Sequence, residues 1–250
     1  MRAAACDSGI SAATKRSRTK AYLELCRVSN LPTIWTNVLV GSLLSGGRVT
    51  VYLYLLLALS LSGFYLAGMV LNDLCDCEHD RQFRPSRPIP SCRVSERAAF
   101  ILTIVLFAAG FGALTFAPSL YGAIAAVPLS VAIVHYDHRH KQNPFSVLLM
   151  GSCRFLVYAV AAYAVIGRLA PLVVAAGATQ FLYIVGLSLF ARYENSRQEP
   201  FSFPVMPVLL AGISIVDGIV LAFLLAPIWI LAGGGGFVLT LAGQRYVRGD

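Results

Sequence analysis

Charge is scarce in this sequence: Asp, Glu, Lys and Arg make up 13% of its 250 residues, against 57% hydrophobic residues. A soluble globular chain carries roughly a quarter of its residues as charge, so a soluble domain is excluded. Nor is there a polar connection long enough to fold alone; the longest between apolar runs, 75–97, is far below the size of an independent domain. The six cysteines (Cys6, Cys26, Cys75, Cys77, Cys92 and Cys153) fall on or near the side where thiols stay reduced, which argues against a disulfide framework. The N-terminal segment has a single acid, Asp7, and lacks the apolar run of a secretory signal, so 1–26 reads as a disordered basic tail.

What the chain does have is apolar runs carrying at most one charged residue each, at 31–44, 50–74, 98–116, 120–134, 145–166, 169–191, 203–226 and 228–242. They predict about eight transmembrane helices of about 20 residues each. The expected fold is all-α, a multi-span helical bundle forming one membrane domain over 27–250. The formal net charge of +8 would suit nucleic acid, but the cations sit in alternate connections. Lys15, Arg16, Arg18, Lys20 and Arg27 precede the first run; Arg81, Arg84, Arg87, Arg93 and Arg97 follow the second. Arg139 and Lys141 follow the fourth, Arg192 and Arg197 the sixth, Arg245 and Arg248 the eighth, and the opposite side keeps only Arg48 and Arg168. The positive-inside rule then puts both termini and every even-numbered connection in the cytoplasm. The expected partner is the lipid bilayer, with no nucleic acid, and the expected setting is a bacterial plasma membrane.

One even-numbered connection breaks the scarcity of charge: NDLCDCEHDRQFRPSRPIP, Asn72 to Pro90. At about 100° per residue, Asp73, Asp76 and Asp80 fall within roughly 60° on a helix, with Asn72 beside them and Glu78 pointing away. Three converging carboxylates repel one another, and hard oxygen ligands of this kind suit Mg2+ shared with phosphate oxygens. Arg81, Arg84 and Arg87 follow, Pro85, Pro88 and Pro90 stop the helix, and guanidinium forks match phosphate oxygens. The combination predicts a magnesium-bound diphosphate. Taken singly, each arginine is an ordinary cytoplasmic cation beside a solvated acidic turn.

NDLCDCEHD resembles the N-D-x-x-D-x-x-x-D motif of the UbiA superfamily of intramembrane prenyltransferases, and RPSRPIPS resembles the R-P-l-x-S stretch that follows it. RVSNLPTIWTN, Arg27 to Asn37, resembles the family's opening, in which the first helix contributes an Asn. The resemblance implies a UbiA-like fold and transfer of a prenyl group from a polyprenyl diphosphate to an aromatic or lipidic acceptor, with Mg2+-assisted release of diphosphate. Asn72, Asp73, Asp76 and Asp80 would be its catalytic set, the three aspartates its metal ligands, and Asn37, Arg84 and Arg87 would meet the substrate.

On the same face of the membrane, Tyr136 to Arg154 (YDHRHKQNPFSVLLMGSCR) brings Lys141 and Arg154, placed to neutralise a diphosphate from across a shared cavity. Arg154 lies deep enough to require a partner or a substrate. MGSCR resembles the EboC-type subgroup of UbiA-like proteins. The segment aligned with the family's second Asp-rich motif, SLFARYENSRQEP, has no aspartate; Glu194 could act as a ligand there, with Arg192 or Arg197 supplying charge in place of a second Mg2+. The chain also shows eight runs against the family's usual nine, and its tail GQRYVRGD reads as a connection with nothing after it.

Four other features carry less. Cys75 and Cys77 lie roughly 160° apart on a helix, which argues against zinc. His135, His138 and His140 have metal-like spacing and could bind a transition metal, but interface histidines near lipid headgroups are the commoner case. Asp217, alone in the seventh run, is either a functional acid or a hydrogen-bonding partner for a neighbouring helix. The GGGG run, Gly233 to Gly236, allows close helix approach or a kink. The leading expectation is thus a Mg2+-dependent prenyltransferase. Its rivals are a UbiA-like protein that binds or moves a prenylated lipid without catalysis and, less strongly supported, a transporter of a phosphorylated or metal-bound solute.

Overall fold

The computed structural model describes residues 15–139, 145–196 and 205–247; His140, Lys141 and Arg197 lie outside them. A short helix, α1 (Lys15–Leu25), leads into α2 (Leu31–Leu43) and α3 (Val51–Cys75), and α4 (Cys77–Phe83) follows α3. The rest of the described bundle is α5 (Glu96–Leu114), α6 (Tyr121–Arg139), α7 (Ser146–Ile166), α8 (Pro171–Ser196), α9 (Val205–Leu224) and α10 (Ile230–Tyr246). The eight expected runs thus correspond to α2, α3 and α5 to α10, with no strand among the described residues. Six of these segments are long and apolar enough to cross a membrane; α2 and α6 are the exceptions. With 13 residues, α2 is only about 20 Å long, short of the ~30 Å hydrocarbon core. Its start is set back by a 3-10 turn, Val28–Asn30, and by Pro32 in its first turn.

The short helix is also the hub, packing against α3, α7, α9 and α10. Ile34 and Val38 of α2 meet Leu57, Leu61 and Phe64 of α3 and Val157, Val160 and Ala161 of α7 in one buried cluster. Large apolar side chains such as Leu59, Ile104, Phe223 and Val238 point outward and are exposed, as lipid-facing positions require. Thr50 and Ser95 start α3 and α5 by accepting from the amides of Leu53 and Ala98. Gly167 ends α7 with φ +72, a left-handed conformation that a side chain would disfavour.

The glycine run resolves into two kinds of position. Gly233 faces Gly218 of α9, and a Cβ on Gly233 would stand 2.6 Å from the Ser214 carbonyl oxygen, whereas Gly234 and Gly235 face open space. The run therefore serves close approach of α9 and α10. Gly233→Ala is expected to lower the thermal midpoint. Gly234→Ala and Gly235→Ala are expected to leave it unchanged or raise it, because alanine is favoured over glycine in a helix by up to about 1 kcal/mol. A fluorescence melt of the three variants checks the contrast.

Two expectations need correction. The basic segment is not disordered throughout: 15–25 is helical, and its Ala21 and Leu25 are fully buried against Val70, Cys77, Ile89 and Val94. Spaced one helical turn apart, these two residues supply an apolar seam that the surrounding cations obscure. Secondly, Cys92 is disulfide-bonded, so reduced thiols do not extend to that position; Cys26, Cys75, Cys77 and Cys153 are free.

Burial pushes the Cys26 thiol up to about 11, with the Asp73 charge adding to it. Cys77 also rises to about 11, chiefly through burial, with Arg81 opposing and Glu96 adding. Relative to a thiol near 9, each has ~100-fold less thiolate at pH 8, and thiolate is the reacting form. Maleimide at pH 8 is expected to label exposed Cys75 first, with Cys26 and Cys77 gaining reactivity only as the pH approaches 11. Mass spectrometry of the labelled protein reads the order.

Candidate active site

A cavity of about 1410 Å³ opens between α2, α3, α6, α7, α8 and α9. Its inner wall is apolar, with Ile34, Leu61, Phe64, Leu129, Ile133 and Val157. Its outer end is charged, with Arg27, Arg84, Arg87, Arg154 and Arg192 beside Asp73 and Asp137. Such a space suits a molecule with a long apolar tail and an anionic head.

The acidic motif sits at that charged end. Asp73 closes α3, Asp76 forms the junction, and Asp80 lies on α4; all three are buried. The Arg87 guanidinium stands between two of them, with Nη1 donating to Asp80 Oδ2 at 2.7 Å and to Asp73 Oδ1 at 3.2 Å. Arg27 Nη2 donates to the same Asp73 oxygen at 3.2 Å. The proline-rich loop makes this possible by folding back onto α1: Ile89 and Val94 are buried there, and Arg93 binds Glu24 Oε2 at 2.7 Å and the Ser86 carbonyl at 2.7 Å. Mutual repulsion of the carboxylates is thus met by arginines of the chain itself.

Among the described residues, no three His, Cys, Asp or Glu side chains stand together as a metal site. The three aspartates expected from helical spacing span the end of α3, the junction and α4, and Arg87 stands between Asp73 and Asp80. The donor set still fits a hard cation: Asp73 and Asp80 each aim one carboxylate oxygen at a single cationic point. Cys77 Sγ turns to Glu96 at 3.7 Å, while Cys75 Sγ lies 3.8 Å from His138 Nδ1, so the two thiols face different partners.

The remaining predicted residues distribute as follows. Arg84 is exposed at the cavity mouth, and Arg154 lies in the wall. Asn72 does not line the cavity; its Nδ2 donates to Asp137 Oδ1 at 3.3 Å. Asn37 is also set behind the wall, where it accepts from Arg154 Nη1 at 2.9 Å. Arg192 and Glu194 line the far side, with Arg192 Nη2 donating to Ser146 Oγ at 2.7 Å. Sequence reasoning did not single out Arg27 or Asp137 as site residues. Arg27 was counted among the tail cations, and Asp137 stood in a segment read for its histidines.

An apolar cavity in a bundle of long apolar helices, with arginines and carboxylates gathered at one end, has the shape and charge to suit a lipid-like anion. Residues 32–244 match the UbiA prenyltransferase family, and the chain belongs to that family. The digeranylgeranylglyceryl phosphate synthase of Methanopyrus kandleri is 40% identical over 139 residues, 54% of this chain and 51% of that protein. The chain spans about half the length of the curated relatives it matches. A solved digeranylgeranylglyceryl phosphate synthase structure shares the fold with a TM-score of 0.63 at 21% identity, covering 92% of this chain and 95% of that one. A UbiA homologue from Archaeoglobus fulgidus, solved with GPP and Mg2+ bound, gives 0.60 at 14% identity over 90% of this chain and 97% of that one. These relatives bear on the family and not on the narrower EboC-type resemblance.

Proposed function

We propose that this protein transfers a prenyl group from an isoprenoid diphosphate to a hydrophobic acceptor, releasing diphosphate with the help of Mg2+. The observation that carries the reading is the cavity itself, apolar within, lined at its mouth by Arg27, Arg84 and Arg87 beside Asp73 and in its wall by Arg154. The prenyl tail would lie along Ile34, Leu61 and Phe64, and the diphosphate would meet the arginines. Mg2+, held by Asp73, Asp76 and Asp80, would neutralise charge on the leaving diphosphate. Arg84, Arg87 and Arg154 add donors where that charge grows. Lys141, by its place in the sequence, would add a further cation, and Glu194 and Arg192 would face the headgroup from the opposite wall. The allylic C–O bond breaks with its electron pair leaving on diphosphate, and the acceptor nucleophile forms the new C–C or C–O bond and loses a proton. Apolar walls keep water from capturing the allylic cation first.

The alternation of Lys and Arg supports the cytoplasmic face as the site of the mouth. The relatives reported above are archaeal, and the bacterial setting expected from the sequence draws no support from them. Their name favours a lipid acceptor over an aromatic one, since digeranylgeranylglyceryl phosphate carries two geranylgeranyl groups on glyceryl phosphate. Incubation of the purified protein with geranylgeranyl diphosphate, Mg2+ and either a singly geranylgeranylated glyceryl phosphate or an aromatic acid tests this. Mass spectrometry is expected to find the prenylated glyceryl lipid; prenylation of the aromatic alone would reverse the acceptor assignment. The second reading, a prenyl-lipid carrier, draws on SLFARYENSRQEP, which has glutamates, Glu194 and Glu199, but no aspartate where the family's second motif carries aspartates.

A further inference from the structure

Three helices bring four polar side chains together behind the cavity wall. Arg154 and Tyr158 lie one turn apart on α7, Asn37 lies on α2, and Asp217 on α9. Arg154 lines the cavity, while Asn37, Tyr158 and Asp217 do not, and these three are 0%, 1% and 2% exposed. Polar groups buried this deeply in a membrane protein persist when they are bonded to one another.

The bonds run in one direction. Asn37 Nδ2 donates to Asp217 Oδ2 at 2.7 Å and to the Tyr158 hydroxyl at 2.9 Å. The Tyr158 hydroxyl in turn donates to Asp217 Oδ1. Asn37 Oδ1 is thereby turned to the other side, where it accepts from Arg154 Nη1 at 2.9 Å. The same nitrogen donates to Thr33 Oγ1 at 3.1 Å, and the guanidinium carbon stands 5.8 Å from the centre of the Tyr65 ring. An ionised carboxylate can only accept hydrogen bonds, and an asparagine amide has one accepting and one donating end. A flipped Asn37 would set its oxygen against Asp217 and its amino group against Arg154, two repulsive contacts in place of two attractive ones. Asp217 thus dictates which end of Asn37 the arginine meets.

We infer that Asp217 is a positioning residue which, through Asn37, holds the Arg154 guanidinium in the cavity wall to receive the anionic head of the substrate. This rests on the reading of the cavity as a diphosphate site. It moves Asn37 from the substrate-contacting role expected from the sequence to that of a coupler, and it gives Asp217 a role that reaches the cavity. An arginine already fixed loses less side-chain freedom when the ligand binds.

The test is titration of inorganic pyrophosphate with Mg2+ into the full chain in lipid nanodiscs, followed by calorimetry, with thermal melts as a check on folding. Asp217→Asn keeps the shape but frees the Asn37 amide to turn, and is expected to weaken pyrophosphate binding by about tenfold, the scale of a lost hydrogen bond to a charged group. Combining it with Asn37→Asp reverses the pair. The new carboxylate at 37 accepts from Arg154, the new amide at 217 donates to it, and affinity is expected to return to within about threefold of the native chain. A role confined to packing predicts no such rescue.

Arg154→Gln is the reference. If it weakens binding while Asp217→Asn does not, the relay is overturned and the diphosphate reading stands. If Arg154→Gln leaves binding intact, the diphosphate reading of this wall fails and the inference fails with it. Should Asp217→Asn not fold, Tyr158→Phe carries the test. It removes only the hydroxyl that steadies Asp217 and is expected to weaken binding about threefold; unchanged affinity would overturn the relay.

Discussion

Asp73→Asn is expected to reduce Mg2+-dependent diphosphate release on the order of 10³-fold in kcat, with the bundle still folded. Of the three motif aspartates, Asp73 alone lines the cavity. It is also the one on which two guanidinium groups converge, Arg27 and Arg87, each at 3.2 Å from Oδ1. An amide in its place offers a neutral oxygen to a cation and to both arginines, so charge-dependent binding at the mouth is lost while volume is kept. Glu78→Gln is the matched control. Glu78 is exposed and, among the described residues, pairs with Arg81 alone at 2.8 Å, and exposed pairs contribute little, so the rate of this variant should stay near that of the native chain. Release measured with a pyrophosphate-coupled assay decides the matter, and an Asp73→Asn rate close to native would remove Asp73 from the chemistry.

Arg87→Gln should have the second largest effect, and it should appear in stability. Arg87 joins Asp80 at 2.7 Å and Asp73 at 3.2 Å, and the side chains of these carboxylates are 3% and 6% exposed. Removing one partner of a buried ionic group leaves like charges facing each other at a cost of about 3 kcal/mol or more. Because the two carboxylates aim at one cationic point, Mg2+ should substitute for the lost guanidinium. The thermal midpoint of Arg87→Gln is therefore expected to fall well below native in EDTA and to recover largely at millimolar Mg2+. A midpoint equally low with and without Mg2+ would mean that the pair does not bind the ion.

The sequence carried most of the fold because a bilayer imposes so strong a rule. Apolar runs almost free of charge marked the eight bundle helices, and the alternation of Arg and Lys marked their connections. α1 escaped because its two buried positions, Ala21 and Leu25, sit among cations. The acidic site was legible in composition but not in full geometry. Helical spacing put three aspartates on one arc, but the proline-rich loop returns Arg87 between Asp73 and Asp80, a tertiary contact that no period predicts. The same holds for the buried network. Asn37 meets Tyr158 and Asp217 across 121 and 180 residues of sequence, so each polar residue could be noticed alone but not joined to the others. Gly233 and Gly234 likewise differ only in which faces α9.

The central claim is that the mouth of this cavity drives diphosphate departure from a prenyl chain and does not merely hold it. The most direct measurement follows inorganic diphosphate released from geranylgeranyl diphosphate by the purified protein in nanodiscs, with an acceptor lipid present, in Mg2+ and in EDTA. Release in Mg2+ that matches the prenylated acceptor mole for mole, and that ceases in EDTA, is the predicted result. Stable binding of the prenyl diphosphate with no release under either condition would contradict the account and leave a prenyl-lipid carrier in its place.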